Sequence, residues 1–367
     1  MQCLMYSNPL AMKSTYKRLG DYIEEIEERN RDLSVKLSQG ICNLKYFQNP
    51  RQVAENSAAD KIVRRGWFAY NRATTRNGDK ISIAYRDGED CTVSASYLTF
   101  RIKDENQLNP YYLMMWFKRP EFDRYARFKS HGSAHEYFEW DEMCDIMLPV
   151  PPIEEQRKIV AEYQAVERRI ENNRRLIATL ESTAQTIYRH MFVDNIDPEN
   201  LPQGWRMGKL YELIEIKYGK DHKLIPDGKI PIYGSGGIMR YGNSFLHNGE
   251  SVLIPRKGSL GNVLYVDGKF WTVDTMFYST PKLNQVIKYV FQFVKSLNLA
   301  NLDTGSAVPS MTTEYLNNCD CVIPAEHDII KYDNLVSQQF NYKSIIETEI
   351  AILAQAISLL LSKLSNL

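Results

Sequence analysis

The chain has 367 residues, more than one domain usually contains, so we expect two or three units that each bury a core. Its 45 basic and 45 acidic residues give a formal charge of zero, which excludes a globally basic nucleic-acid-binding protein and requires any such surface to be local. Six cysteines without a C-x-x-C pair argue against a zinc site or a disulfide framework. Since no stretch of 18 apolar residues is present, we predict a cytoplasmic protein without a membrane segment.

Four segments follow one another along the chain. Residues 1–150 and 197–325 mix strand-like and turn-like patterns, whereas residues 151–196 and 326–367 have the apolar repeat of long helices. We therefore predict an α+β fold in which two mixed α/β domains are each followed by one long α-helix.

Both long helices carry a seven-residue apolar seam. The first helix follows Pro151-Pro152 and extends to about Phe192, and the second extends from about Asp328 to Leu367. The seam of the first consists of Ile159, Tyr163, Val166, Ile170, Asn173, Ile177, Leu180, Ala184, Ile187 and Met191, with Asn173 as its one polar break. The seam of the second consists of Val336, Ile346, Ile350, Leu353, Ile357, Leu360, Leu364 and Leu367. Since neither helix can bury its seam alone, we predict that they pair as an antiparallel coiled coil.

The two non-helical segments show a weak internal repeat. Leu19-Gly20-Asp21-Tyr22-Ile23-Glu24 has its counterpart in Leu210-Tyr211-Glu212-Leu213-Ile214-Glu215. Likewise, Lys61 to Tyr70 matches Glu250 to Pro255, and Gly132-Ser133-Ala134 matches Gly305-Ser306-Ala307. Each G-S-A triplet precedes the proline that marks the start of a long helix, Pro149 or Pro324. The predicted order is therefore globule, helix, globule, helix.

Three segments resemble a known family. They are the junction Leu148 to Val160, the segment Leu201-Pro202-Gln203-Gly204-Trp205, and the segment Leu253 to Gly261. With them the whole chain resembles the DNA specificity subunit of type I restriction-modification systems. It departs from that pattern in two places, because no L-P-x-G-W motif precedes the first domain and the second long helix starts through Ile323-Pro324-Ala325-Glu326.

The resemblance implies a function for each segment. Residues 1–150 and 197–325 would be target recognition domains, each reading one half of a bipartite double-stranded DNA site, and the long helices would set the distance between the halves. The implied partners are methyltransferase subunits, two of them, and restriction subunits. The chain itself would be non-catalytic and would bind no cofactor.

The first domain contains a basic stretch with the side chains that DNA recognition requires. Between residues 45 and 86, nine basic residues face three acidic ones, a local charge of +6. The predicted contacts here are Lys45, Tyr70, Asn71, Arg72, Thr74, Thr75, Arg76 and Lys80, with His131 and Ser133 beside the G-S-A triplet. The alternative is a solvated loop between two strands.

The second domain has a weaker basic signal and two glycine-rich loops. Seven basic residues face three acidic ones between residues 217 and 257, a local charge of +4. Glycine lets backbone amides approach phosphate oxygens closely. The predicted contacts are Tyr233, Ser235, Arg256, Lys257 and Ser259, with Thr304 and Ser306 beside the second triplet. Simple turns are an equally good interpretation of either loop alone.

No motif for catalysis is present in the sequence. The one Pro-Pro pair, Val150-Pro151-Pro152-Ile153, is flanked wrongly for the [ND]-P-P-[FY] motif of DNA methyltransferases, and no P-loop, nuclease or G-x-S-x-G motif occurs. His131 and His135 have the spacing of a helical metal site, but Gly132-Ser133 disfavours a helix there, so we predict no metal. The other hypotheses are a coiled-coil scaffold whose globules bind proteins and an enzyme with an unfamiliar active site.

Overall fold

The computed structural model describes residues 16–50, 57–73, 80–130, 136–194, 196–302 and 310–367. The chain divides into two compact units. The first unit comprises Met1–Asn172 and Glu349–Leu367, and the second comprises Asn173–Thr348. Each unit therefore contains one globule together with about half of each long helix.

The described part of the first unit contains ten short strands, three short helices and the beginning of a long helix. The strands are β1 (Tyr16–Arg18), β2 (Ile23–Glu25), β3 (Gly40–Ile41), β4 (Phe47–Gln48), β5 (Lys61–Val63), β6 (Trp67–Asn71), β7 (Ile83–Tyr85), β8 (Cys91–Val93), β9 (Tyr97–Ile102) and β10 (Met147–Pro149). The helices are α1 (Pro110–Phe117), α2 (Pro120–Lys129), α3 (Trp140–Cys144) and the long α4 (Ile153–Phe192).

An antiparallel sheet in the order β2-β9-β6-β7 forms the centre of this globule. Its core face includes Phe68 and Phe100, whose rings stack 4.9 Å apart against α1 and α2. Helix α1 begins at Pro110 because proline suits the first helical position, and the Asn109 side chain accepts the N–H groups of the first turn. The buried amide of Gln156 in α4 donates to the carbonyl of Gln107 and fixes the start of the long helix on the globule.

The described part of the second unit again has ten strands. They are β11 (Arg206–Lys209), β12 (Ile214–Tyr218), β13 (Asp227–Gly234), β14 (Gly237–Gly242), β15 (His247–Asn248), β16 (Ser251–Pro255), β17 (Leu264–Val266), β18 (Lys269–Thr272), β19 (Met276–Pro281) and β20 (Asp320–Ile323). Its helices are α5 (Leu210–Leu213), α6 (Ile287–Ser296), α7 (Thr313–Asn317) and the long α8 (Glu326–Lys363).

The central sheets of the two globules share one topology, which confirms the predicted repeat of mixed α/β domains. The central sheet of the second is β12-β19-β16-β17, the same order as in the first, and β1 pairs with β10 as β11 pairs with β20. One correspondence is corrected. Lys61 to Tyr70 is two strands separated by a turn at Gly66, whose φ of 95° favours glycine, so β6 alone corresponds to β16. A further sheet, β14-β13-β18-β15, belongs to the second globule.

The long helices pair inside each unit. In the first unit, Val160 and Tyr163 near the start of α4 share a core with Leu361 and Leu364 near the end of the chain. In the second unit the end of α4 and the start of α8 share a core, in which the Tyr332 hydroxyl donates to the carbonyl of Ala184. Since the start of each helix meets the end of the other, the pairing is antiparallel, as predicted.

The predicted seams lie on the inner faces of the two helices. The fully buried seam residues are Tyr163, Ile170, Asn173, Ala184, Val336, Ile346 and Leu364, and the others are half-buried. Helix α8 begins at Glu326, two residues before the predicted position, and a 3₁₀ turn at Leu364–Asn366 follows it.

The outer face of α8 carries large apolar side chains that the protein leaves exposed. They are Leu335, Tyr342, Ile345, Ile352 and Leu359. By length and composition alone, Glu326–Asn366 could cross a membrane, and only 11% of its most apolar window is buried. Polar residues interrupt this helix, so the sequence contains no continuous run of 18 apolar residues that would mark it.

Candidate nucleic-acid interface

In each globule an arginine directly follows the equivalent central strand. Arg72 follows β6 and Arg256 follows β16. The Arg72 carbonyl accepts the N–H of Phe138 at 2.9 Å, and the Arg256 carbonyl accepts the N–H of Met311 at 2.8 Å. These hydrogen bonds tie the end of the strand to the segment that follows each G-S-A triplet. The equivalent strand end and the segment after the triplet are therefore joined in the same way in both units.

In the first unit, Arg72 lies at the edge of an aromatic and acidic surface. Its guanidinium is 5.8 Å from the Tyr137 ring centroid and pairs with Glu139 at 3.0 Å, while 40% of the side chain remains exposed. The Asn71 side chain accepts the N–H of Ala73 at 3.1 Å, which holds the beginning of the loop. Lys80 is exposed where the chain returns to the sheet. The predicted residues Thr74, Thr75, Arg76, His131 and Ser133 lie outside the described residues.

Two predicted contacts of the first unit are corrected because their side chains are buried. The Lys45 ammonium donates to Asp123 at 2.5 Å and to the Phe117 carbonyl at 2.7 Å. Tyr70 is fully buried in the core, and burial raises the pKa of its hydroxyl. Neither side chain has a surface that a duplex could contact.

Acidic residues from elsewhere in the chain pair with several of the basic residues counted in the first unit. Arg64 pairs with Glu28 and with Asp90, and Lys61 pairs with Glu27 at 3.0 Å. Arg86 is buried, with its guanidinium on the Gln39 side chain. The basic character of this stretch is therefore partly structural. Among its described residues, Arg65 and Lys80 are exposed, and 40% of the Arg72 side chain is exposed.

In the second unit, Arg256 packs against an aromatic ring as Arg72 does. Its guanidinium is 5.4 Å from the Tyr218 ring centroid, and the Tyr218 hydroxyl is 3.3 Å from the hydroxyl of Thr313. Lys257 and Ser259 are exposed in the loop that follows. The predicted residues Thr304 and Ser306 lie outside the described residues.

The two glycine-rich loops of the second unit touch each other. The Asn262 side chain donates to the Ser235 carbonyl at 2.8 Å, and a Cβ at Gly258 would come within 2.9 Å of the Ser235 hydroxyl. Gly258 also has a φ of 82°, so this close approach requires glycine. Tyr233 is half-buried, and burial raises its pKa to about 12, so it is a neutral hydrogen-bonding group. Ser235, Arg256 and Ser259 thus belong to one surface.

Two exposed aromatic residues were not among the predicted contacts. Tyr218 was missed because it stands alone at the end of β12, and nothing local links it to Arg256. Phe128 is 80% exposed on α2, one turn after the exposed Arg124, and directly precedes the segment with His131. The sequence could have indicated Phe128, because an aromatic residue beside charged residues on a helix is expected to lie on the surface. Within the described ranges, no group of three metal-binding side chains occurs.

Comparison with known proteins identifies the family. The profile described as "Type I restriction modification DNA specificity domain" matches residues 54–182 and 202–343. The chain is 21% identical over 292 residues to the type I restriction enzyme MjaIX specificity subunit of Methanocaldococcus jannaschii, which covers 69% of this chain and 67% of that protein. It is 30% identical over 98 residues to the type I restriction enzyme EcoprrI specificity subunit of Escherichia coli, which covers 26% of this chain and 24% of that protein.

The fold has a counterpart among solved structures. The structure is similar to the crystal structure of a type I restriction-modification S subunit from M. genitalium, with a TM-score of 0.61 and 15% sequence identity. The alignment covers 96% of this chain and 96% of that one. The family profile covers more than half of the chain and matches each globule separately. The chain therefore belongs to the type I restriction-modification DNA specificity family.

Proposed function

We propose that this specificity subunit reads a bipartite double-stranded DNA site, with one target recognition domain on each half. The observation that carries the proposal is the equivalence of Arg72 and Arg256. Each follows the same strand of the repeated sheet, packs against a tyrosine ring, and adjoins the segment after a G-S-A triplet. An arginine so placed can donate two hydrogen bonds to a guanine edge or to a phosphate.

The interface in each domain combines a charged group with small polar ones. In the first domain it comprises Asn71, Arg72 and Lys80 with the loop Thr74, Thr75 and Arg76 and with His131 and Ser133. In the second domain it comprises Tyr233, Ser235, Arg256, Lys257 and Ser259 with Thr304 and Ser306, and we add Tyr218. Phosphate contacts by the lysines would position the duplex, and the arginines would discriminate bases.

We further propose that the chain docks the catalytic subunits and contains no catalytic site. The exposed apolar residues of α8, such as Ile345, Ile352 and Leu359, recur at seven-residue intervals and so face one side of the helix. An exposed apolar face of this kind favours a permanent protein partner over water. The partners would be two methyltransferase subunits, and in a restricting complex the restriction subunits, in the cytoplasm and without a cofactor bound to this chain.

The test is a half-site measurement on the complex with its methyltransferase subunits. The duplex carries the motif that the host genome methylates, and in two further duplexes one or the other half-site is scrambled. The variant Arg72→Gln should weaken recognition of one half-site by about 10- to 100-fold, and Arg256→Gln should weaken the other by a similar factor, since a bidentate base contact contributes roughly 1–3 kcal/mol.

The matched controls are substitutions of two other arginines, which form ion pairs at a distance in sequence from the proposed contact loops. Arg101 pairs with Glu24 on the first sheet, and Arg206 pairs with Glu212 in the second unit. Arg101→Gln and Arg206→Gln should leave both half-sites unchanged. The domain assignment is wrong if Arg72→Gln lowers both half-sites equally or lowers neither.

A further inference from the structure

A cavity of about 370 Å³ lies in the first unit, formed by residues that take no part in the proposed DNA interface. It lies between the α1–α2 corner and the start of β10, and Tyr16 of β1 closes one side. Its walls combine aromatic side chains, among them Trp116, Phe122 and Tyr125, with a few charged ones. A volume of a few hundred Å³ with apolar walls and few polar groups is typical of a small-molecule or side-chain pocket.

The cavity contains a buried arginine with one unsatisfied hydrogen-bond donor. Arg119, at the start of α2, is 5% exposed and lines the cavity. Its guanidinium lies 4.2 Å from the Trp116 ring centroid. The Nε atom is buried, and the structure gives it no hydrogen-bond partner. The closest carboxylate is that of Glu121, 3.6 Å from Nε, which is beyond a normal hydrogen bond.

An arginine held in this way is unusual in energetic terms. A guanidinium has five N–H donors, and its transfer from water to an apolar site without partners is strongly unfavourable. Stacking on Trp116 offsets part of that energy but satisfies none of the donors. Such a group therefore points to an acceptor that the folded chain does not itself provide.

The acidic residues at the edge of the cavity are already neutralised by other arginines. Glu121 pairs with the exposed Arg124 at 3.1 Å, and Asp145 pairs with Arg18 at 2.8 Å. Arg119 shares Glu121 with Arg124, and its own separation from that carboxylate is the longer one, 3.6 Å. An anion can enter without displacing either of these pairs.

We propose that this cavity is a binding site for an organic carboxylate, whose apolar body packs on Trp116 and Phe122 and whose carboxylate accepts hydrogen bonds from Arg119. A fork of two parallel N–H donors fits the two oxygens of a carboxylate. A small aromatic acid and the free carboxylate of a polypeptide end present the same chemistry. The site requires neither DNA nor a partner subunit, so its test is independent of the proposed function.

The test compares acids with their neutral amides on the full chain. The probes are 3-phenylpropionate with 3-phenylpropionamide, and N-acetyl-alanyl-phenylalanine with its C-terminal amide. Binding is measured at millimolar concentration by saturation-transfer NMR and by tryptophan fluorescence. Each acid should bind at least about tenfold more tightly than its amide, because the hydrogen bonds to a charged group are lost in the amide. Tighter binding of 3-phenylpropionate indicates that the natural ligand is a small metabolite. Tighter binding of the dipeptide acid indicates that it is the C-terminal end of a protein.

Two variants separate a binding role from a structural one. Arg119→Met should abolish the preference for acid over amide, whereas Arg124→Met should retain it, because Arg124 pairs with the same glutamate but does not line the cavity. The acid-to-amide ratio of the unmodified protein remains a test even if Arg119→Met fails to fold. Equal binding of acid and amide, binding of neither acid, or a preference that survives Arg119→Met would overturn the proposal.

Discussion

Lys288 is a buried ionisable residue that joins three segments of the second unit. It lies on α6, is buried, and donates to Asp333 of α8 at 2.8 Å and to Glu250 beside β16. Burial alone would lower the pKa of Lys288, but its hydrogen bonds to Asp333 and Glu250 outweigh that effect and hold the pKa above the ordinary value. The ammonium thus connects a helix, a strand and a long helix at one point.

Replacing Lys288 should destabilise the protein strongly. Lys288→Met leaves the carboxylate of Asp333 buried without a cation, so we expect a loss of about 3–5 kcal/mol in the free energy of unfolding, measured by urea titration at pH 7. The exposed Lys229→Met should change it by less than about 0.5 kcal/mol.

The same lysine predicts a dependence on alkaline pH. Since its folded-state pKa is raised, its contribution is complete below the unfolded value of 10.5 and is lost as the pH rises through the folded value. The difference between the unmodified protein and Lys288→Met should shrink above about pH 10.5. A difference that stays constant there would contradict this account.

Single residues also show where sequence reasoning reached the site and where it did not. Arg72 and Arg256 were predicted because each stands beside a turn with small polar residues. Lys45 was misassigned because its partner, Asp123, is 78 residues away, and a count of local charge cannot detect such a pair. Tyr218 was missed for the same reason, since only the folded sheet brings it to Arg256.

At the scale of elements, one glutamate joins three helices of the second unit. Glu181 of α4 pairs with Lys343 of α8 at 2.6 Å and with Lys295 of α6 at 3.5 Å. Burial alone would raise the pKa of Glu181, but the two lysines lower it by more than burial raises it. The pKa of Glu181 therefore lies below its ordinary value. This cluster holds the end of α4 on its neighbours.

Glu181→Gln should weaken that attachment most at neutral pH. We expect a loss of about 1 kcal/mol, a modest value because a side chain that is 35% exposed is screened by water. Because the folded-state pKa is lowered, the stabilisation exists above the ordinary value of 4.5 and disappears as the pH falls through the folded value. In thermal unfolding, the difference between the two proteins should be complete at pH 7 and should shrink progressively as the pH falls below 4.5; a difference that stays constant there would contradict the prediction.

Asn173 is the polar break in the seam of α4, and its replacement should stabilise the protein. The residue is buried, and its Nδ2 atom has no hydrogen-bond partner in the structure. Asn173→Leu removes an unsatisfied donor and extends the apolar seam, so the free energy of unfolding should rise by about 1–2 kcal/mol. The exposed neighbour Asn172→Leu is the control and should have little effect. A destabilised Asn173→Leu protein would indicate that the amide is satisfied in solution.

Elements with a local signal were predicted well, and those that depend on distant pairing were not. Residue periodicity placed both long helices within two residues of their observed starts. The extra sheet of the second globule was not predicted, because it depends on a parallel pairing between β13 and β18, with Ile232 opposite Trp271. Nothing near either strand in the sequence specifies that partner.

At the scale of the whole molecule, the paired helices are the proposed ruler between the two half-sites. Deleting one heptad from the middle of α4 and one from the matching part of α8 preserves the seam of both helices. It shortens each by about 10 Å at 1.5 Å per residue. The preferred spacer of the DNA target should then shorten by about three base pairs, since B-DNA rises roughly 3.4 Å per base pair.

The measurement is binding to a set of duplexes that differ only in spacer length. The control protein carries the same two deletions, and each deleted heptad is replaced by a different heptad that keeps the apolar seam. Its helices have the original length, so it should prefer the original spacer. If the shortened protein folds and still prefers the original spacer, the helices do not set the distance.

The family and the order of the segments were predictable because the resemblance extended over the whole chain. The position of each target recognition domain on DNA was not, since base readout depends on the geometry of loops such as the one that follows Arg256. That geometry results from contacts between loops far apart in sequence, as Asn262 and Ser235 illustrate.

The hydrogen bond from the Tyr16 hydroxyl to the carbonyl of Ser365, 3.0 Å long, brings opposite ends of the described chain together in the first unit. The two residues are 349 positions apart in the sequence. The first globule therefore cannot complete its contacts until the last turn of the chain is in place.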